Sequence, residues 1–385
     1  MSNESSSTQQ RLRSLDVFRG ATIAGMMLVN NPGDWGHIYA PWEHAKWNGW
    51  TYTDTIFPFF LWIVGVAMMF SFAKRIERGD DKGKLAMHLL FRSVIIFTLG
   101  LLIECFPFGF VFGEPFSFST IRIPGVLQRI AICYFASGLL VLNFSMRVQV
   151  AVTFSLLTLY WVLVKTIFIP GYGVGVWLPK GNLAWYIDSH LLKGHTWDGA
   201  PIPGFDPEGI LSTIPAIATS MLGVFTGMFL CSERSKEEKV TWMFVSGNIL
   251  LLTGLVLDNW LPINKNMWTS SYVLFMAGLA LNVFSCCYWI IEVKGKTWWI
   301  KPFAIYGQNA ISVYVLSMLI AKTISLVTIT RPDGHAISLQ EWYYEKLFLP
   351  WGDPFAASFA HSLVFILLMY GIAYLMHRMK WIVKV

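Results

Sequence analysis

Apolar runs long enough to cross a bilayer, a span of about 20 helical residues, follow one another along almost the whole chain. They lie at 15–31, 54–72, 87–106, 124–142, 150–169, 211–231, 240–257, 271–291, 302–327 and 357–376. Lipid offers no hydrogen-bond partner to an exposed backbone, so a spanning segment must be a helix or a strand of a closed barrel. These runs are about twice the roughly 10 residues of a barrel strand. The pattern predicts an all-α polytopic membrane protein, a bundle of about ten transmembrane helices.

An even count puts both termini on one face. The connections on that face hold Arg75, Arg78, Lys82, Lys84, Arg147, Arg234, Lys239, Lys294, Lys296 and Arg378 among others, whereas the longer opposite connections carry few cations. Short cytoplasmic connections are the ones enriched in Lys and Arg, so both termini are expected in the cytoplasm. Residues 1–14 read as a disordered cytoplasmic terminus and 15–385 as a single transmembrane domain. The connections at 32–53, 171–210 and 328–355 then face outward. The second is rich in Gly and Pro, and a lid is conceivable there.

Composition agrees: 55% of the residues are hydrophobic and 14% charged, with a mean hydropathy of +0.52, where soluble domains carry about 25% charge. The net charge of +6 is dispersed over short connections and forms no basic face, which excludes a nucleic-acid partner. The five cysteines show neither a disulfide framework nor a zinc spacing, and no metal is expected. The first apolar run carries Asp16, Arg19 and Asn30 and has no small-residue cleavage site, so it reads as a retained helix rather than a signal peptide.

Candidate chemistry concentrates between the first two runs, in NNPGDWGHIYAPWEHAKWNGWTYTDTIFPFF from Asn30 to Phe60. His37 and His44 are the groups there that exchange protons near neutral pH. Each polar residue also has a structural reading. Asn30 can close the first helix before Pro32 and Gly33, Asp54 can cap the second, and DPEG at Asp206 can be a turn. Arg19, Met26 and Asn30 follow a helical period, and Arg92, Glu104, Arg129, Lys165 and Asp258 also fall in or near apolar runs. Charge at that depth is costly and favours a polar cavity over lipid exposure.

RLRSLDVFRG, LVNNPG and HAKWNGWTYTDTIFPFFLWIVG, followed in order by IPGVLQRIAICYF, DPEGILSTIPAI, PINKNMWTSSYVL and a looser PFAIYGQNAISVYVL, resemble the heparan-alpha-glucosaminide N-acetyltransferase family. The resemblance implies transfer of an acetyl group from cytoplasmic acetyl-CoA to the amine of a glucosamine-type sugar on the far side of the membrane. It places the family's catalytic histidine on His44, its asparagine on Asn30 and its motif aspartate on Asp54. It also suggests a homodimer. No large domain is expected before the first helix, and a bacterial inner membrane is the expected location.

A protonated sugar amine cannot attack a thioester, and a histidine, ordinarily near pKa 6.5, suits removal of its proton. Asn30 would donate to the developing oxyanion and Asp54 would hold the imidazole in one tautomer. His44 as an acetyl-accepting nucleophile is the other route. The chain has no GxxxxGK[ST] loop, so Arg19 and Arg129, both in matched motifs, are the candidates for the acetyl-CoA phosphates. Trp47 and Asn48 are candidates to stack on and hydrogen-bond the sugar, and Asp206 and Glu208 to attract its ammonium. Asn264 and Lys265 join them through the NKN match. The alternatives are a secondary transporter of an amino sugar and an O-acyltransferase acting on a cell-surface glycan. The paired interrupted halves of many transporters are not evident.

Overall fold

A computed structural model describes residues 12–109 and 117–383. Residues 1–11 of the terminus expected to be disordered lie outside the described residues. The helices are α1 (Arg13–Asn30), α2 (Ile56–Glu77), α3 (Lys82–Cys105), α4 (Val126–Asn143), α5 (Met146–Thr166), α6 (Leu183–Leu191), α7 (Ile210–Leu230), α8 (Lys236–Leu257) and α9 (Ser270–Tyr288). A π turn at Trp289–Val293 extends α9. Then come α10 (Lys301–Gln308), α11 (Ala310–Leu326), an antiparallel hairpin of β1 (Thr328–Thr330) and β2 (Ala336–Ser338), α12 (Leu339–Leu347) and α13 (Pro354–Arg378).

Among the described residues, eight helices are long and apolar enough to span a membrane, and α10 with α11 makes a ninth candidate bent by 83°. The first of the ten expected spans is the helix α1, which is less apolar because Arg13, Asp16 and Arg19 lie in it. Every predicted run is therefore helical, but the one at 302–327 is broken. Asn309 stands at the break with φ −120 and ψ 38, outside the helical region. It donates to the Trp381 carbonyl (3.0 Å) and accepts from the Val383 amide (3.2 Å), which ties the C-terminal tail to the bend.

The centre of the bundle is formed by α2, α7 and α9, which bury most of their apolar length, while α3, α5 and α8 leave apolar faces such as Phe91, Phe154 and Leu252 for lipid. Without a hydrophobic drive between helices in lipid, close packing needs small residues. A Cβ on Gly65 of α2 would strike the Ser220 carbonyl of α7, and one on Gly223 would strike Trp62. The same holds at Gly20 of α1 and Gly307 of α10, whose backbones touch. In the core the Trp62 ring sits edge-on to Phe18 (6.0 Å) and Phe284 (5.5 Å).

The connection at 171–210 is more ordered than its Gly and Pro content suggests. Asn182 accepts from the Trp185 amide (2.8 Å) and starts α6. Leu183, Ala184 and Phe205 then pack with Tyr160, Val164, Leu211 and Met267, which seats the segment on the ends of α5 and α7.

Candidate active site

The connections at 32–53, 192–209 and 258–269 converge at the end of the bundle reached by the C-terminus of α1 and the N-termini of α2, α4 and α7. Each is fixed by buried polar groups. Asn264 is 1% exposed; its amide donates to the Trp47 carbonyl (2.8 Å) and to Asn48 (3.0 Å), and its oxygen accepts from the Met267 amide (2.8 Å). Asp206 is fully buried and takes a bidentate pair of hydrogen bonds from Arg122 at 2.8 Å each, with further bonds from the Trp197 and Glu208 amides. Burial works against Arg122, but its carboxylate partners hold its guanidinium above the usual range.

These anchors place His44 against Asp54. His44 Nδ1 lies 2.6 Å from Asp54 Oδ1. The other Asp54 oxygen accepts from the Ala45 and Thr51 amides, each at 3.0 Å, and from the Thr51 hydroxyl at 3.2 Å. The Asp54 side chain is 1% exposed and that of His44 is 49% exposed, so the acid is out of reach and the base is not. An acceptor-only carboxylate puts the proton on Nδ1 and leaves the Nε2 lone pair free. The Tyr272 hydroxyl, bonded to the Asp54 carbonyl at 2.6 Å, fixes the same turn from α9. His37 makes a similar bond to Asp34 (2.6 Å), but that carboxylate is 38% exposed and the adjoining void is about 20 Å³.

His44 opens on a cavity of about 550 Å³, within the range of small-molecule sites. Its outer wall carries His44, Lys46, Lys265 and Asn266, with Trp197, Gly199 and Pro201 from the long connection. Glu104, Arg122 and Glu208 form an ionic wall, in which Arg122 Nη2 is 2.6 Å from Glu208 Oε2 and Arg122 Nη1 is 3.7 Å from Glu104. Desolvation opposes the charge on Glu208, but Arg122, Arg129 and Lys265 together hold its carboxyl below the usual range. Deeper, Thr22, Ile23, Met26, Val29 and Asn30 line one stripe of α1, facing Phe57 and Phe60 of α2, Ile130 of α4 and Ile311 and Met318 of α11.

Several predicted residues therefore meet. His44, Asn30, Glu208 and Lys265 line the cavity, with Asp54 behind His44. Asn30 does not cap α1; that position is Asn31, which donates to the Met27 carbonyl, and Asn30 stays exposed toward the cavity. The structure places the other candidates away from the cavity wall or in loop-holding contacts. Trp47 donates its indole N–H to the Trp177 carbonyl (2.6 Å), stacks edge-on with Phe205 and is absent from the cavity wall, as is Asn48, which is held by Asn264. Asp206 is spent on Arg122, and Asn264 on the two loops. Arg129 is 1% exposed, bonded to Ser212 and lies 5.0 Å under the Trp268 ring, so it offers no surface to a phosphate. Arg19 pairs with Asp16 and with the Gly307 carbonyl, away from the cavity. Glu104 was expected at a polar cavity and lines this one, whereas nothing local in the sequence marks Trp197 and Arg122, whose place on the wall comes from tertiary packing.

A family model described as "Heparan-alpha-glucosaminide N-acetyltransferase, catalytic" matches residues 11–256. Two proteins named heparan-alpha-glucosaminide N-acetyltransferase are similar to this chain. The one from Homo sapiens is 31% identical, covering 79% of this chain and 52% of the relative. The one from Mus musculus is 32% identical, covering 80% and 53%. The chain thus spans about half the length of the curated relatives it matches.

Proposed function

Because the chain belongs to the heparan-alpha-glucosaminide N-acetyltransferase family, we propose that it is an integral membrane N-acetyltransferase that moves an acetyl group from acetyl-CoA to the amine of a glucosamine-type sugar. The observation that carries this reading is the His44–Asp54 pair at the mouth of a cavity large enough for a sugar and a thioester arm. His44 Nε2 takes a proton from the sugar ammonium and passes it to water. The free amine then attacks the thioester carbonyl. Its second proton moves through His44 to the departing CoA thiolate, so one proton is released per turnover. Asp54 holds the Nδ1 proton, so that Nε2 is the nitrogen that takes up and gives back each proton.

Glu208 and Glu104 supply negative charge on the wall that would receive the sugar ammonium, and Trp197 offers an aromatic face in place of Trp47. The apolar stripe of α1 with Phe57, Phe60 and Met318 suits the pantetheine arm of acetyl-CoA. Asn30, with no protein partner among the described residues, is a hydrogen-bond donor on that wall. In this reading both termini are cytoplasmic, the cavity mouth faces outward and the membrane is a bacterial inner membrane.

The test is CoA thiol release by the purified protein with acetyl-CoA and glucosamine. Release that needs both sugar and His44 supports direct transfer. A sugar-independent burst of about one equivalent points to an acetyl-histidine instead, and no release with any amino sugar overturns the reading.

A further inference from the structure

Lys265 stands on the cavity wall beside His44. It follows Asn264 in a turn closed by the Trp268 amide on the Lys265 carbonyl (3.0 Å) and the Thr269 amide on the Asn264 carbonyl (3.2 Å), with Trp268 at φ +52. The backbone under Lys265 is therefore fixed. Its ammonium lies 3.4 Å from His44 Nδ1 and 3.4 Å from His44 Nε2. A point equidistant from both ring nitrogens is off the axis of the Nε2 lone pair, so the ammonium flanks the ring and leaves Nε2 open to the cavity. No carboxylate lies within salt-bridge distance of it among the described residues, although Glu208 and Asp54 are near enough to attract it. Burial pushes the Lys265 ammonium below its ordinary range, against that attraction. Its amino group is a preformed hydrogen-bond donor on the cavity wall, at the point where His44 must meet the substrate.

We propose that Lys265 is a catalytic residue of the transfer, the charged donor that meets the oxyanion of the tetrahedral intermediate. The proposal rests on the acetyltransferase reading above. As the sugar nitrogen bonds to the thioester carbonyl carbon, the C=O π pair moves to oxygen, and Lys265 Nζ–H donates to that oxygen without giving up its proton. When the C–S bond breaks, the pair returns to C=O, the thiolate leaves with the S–C electrons and takes a proton from His44, and Lys265 ends as it began. The cation is aimed at charge that develops only in the transition state, so its removal should lower kcat and leave the acceptor KM nearly unchanged.

The experiment measures thiol release over a glucosamine series at saturating acetyl-CoA for the wild type, Lys265→Met and Lys265→Cys before and after aminoethylation with 2-bromoethylamine. Because the native cysteines are free among the described residues, the wild type is alkylated in parallel. The expected result is a fall of about 100-fold or more in kcat for Lys265→Met, with the acceptor KM within about threefold. Aminoethylation of Lys265→Cys should restore about tenfold or more of its loss, since it returns an ammonium at nearly the same reach. That recovery separates lost chemistry from lost folding. An active wild type with Lys265→Met within about threefold in kcat overturns the proposal alone, as does a loss carried wholly by KM or an aminoethylated protein that recovers nothing. A wild type without thiol release overturns the acetyltransferase reading and this proposal with it.

Discussion

Asp54→Asn separates the orienting role of Asp54 from any packing role, because the amide has the carboxylate's shape. It can be placed in two ways. With its oxygen toward His44, the amide nitrogen faces the Ala45 and Thr51 N–H groups, which now bond the Asp54 carboxylate at 3.0 Å each. Two part-buried donors would then lose their acceptor, at up to about 1–3 kcal/mol each. With its nitrogen toward His44, both backbone bonds survive and only the His44 bond reverses direction. The second placement is preferred by a few kcal/mol, and it forces Nδ1 to accept and Nε2 to carry the proton. A base protonated on its working nitrogen has no lone pair for the sugar amine. The comparable change in the serine-protease triad costs about 10⁴ in kcat, or about 5 kcal/mol of barrier. Replacing a charged acceptor by a neutral one weakens the retained bonds by about 1–3 kcal/mol in all, within the stability of most proteins. The assay is thiol release at saturating acetyl-CoA and glucosamine, on protein confirmed monodisperse by gel filtration. Asp54→Asn within about tenfold of wild-type kcat would refute the tautomer argument.

His44→Ala should abolish turnover and leave acetyl-CoA binding, followed by calorimetry, largely intact. Asp206→Ala strips the bidentate partner from Arg122, a type of loss that costs about 3 kcal/mol or more, so the apparent melting temperature should fall by several degrees; an unchanged transition would show that Asp206 is not structural. Burial pushes the Asp188 carboxyl up to about 7. The stability it contributes is therefore complete below about pH 4, its unfolded range, and lost as pH rises through about 7. Asp188→Asn should remove that part of the pH dependence, read as melting temperature between pH 4 and 8. A C-terminal fluorescent fusion should mature and a C-terminal phosphatase fusion stay inactive; the reverse would place the cavity mouth in the cytoplasm.

Much of the fold was legible because a spanning helix announces itself locally: each run carries its own length and hydropathy, and all ten expected runs are helical. The break in 302–327 was not, because the partners of Asn309 at the bend, Trp381 and Val383, lie far along the chain. The nine residues of α6 were hidden for a similar reason, being a short helix whose apolar face is completed by Tyr160, Leu211 and Met267. At the site, His44 and Asp54 were legible because one local motif holds both. Polar residues elsewhere in the matched motifs look alike in sequence whether they face a cavity or hold a loop. Asp206 and Asn264 hold loops, whereas Glu208 and Lys265, close to them in sequence, face the cavity.

The arrangement of rigid parts bears on the choice between enzyme and carrier. A carrier must open one site to each face in turn, and its binding groups accordingly sit on discontinuous helices near the midplane. Here Lys265 and Glu208 come with His44 from connections at one end of the bundle and are fixed by Asn264, Asp206 and Asp54. Toward the other end, the cavity is lined by the stripe of α1, and within a turn of Thr22 and Ile23 the α1 and α10 backbones touch at Gly20 and Gly307. A fixed base at one face with an apolar passage behind it suits a reaction in which a thioester is held still while an amine arrives from the mouth. Asn264 pins the connection of His44 to the turn of Lys265, so the base and its neighbour keep one arrangement, which suits a reaction centre.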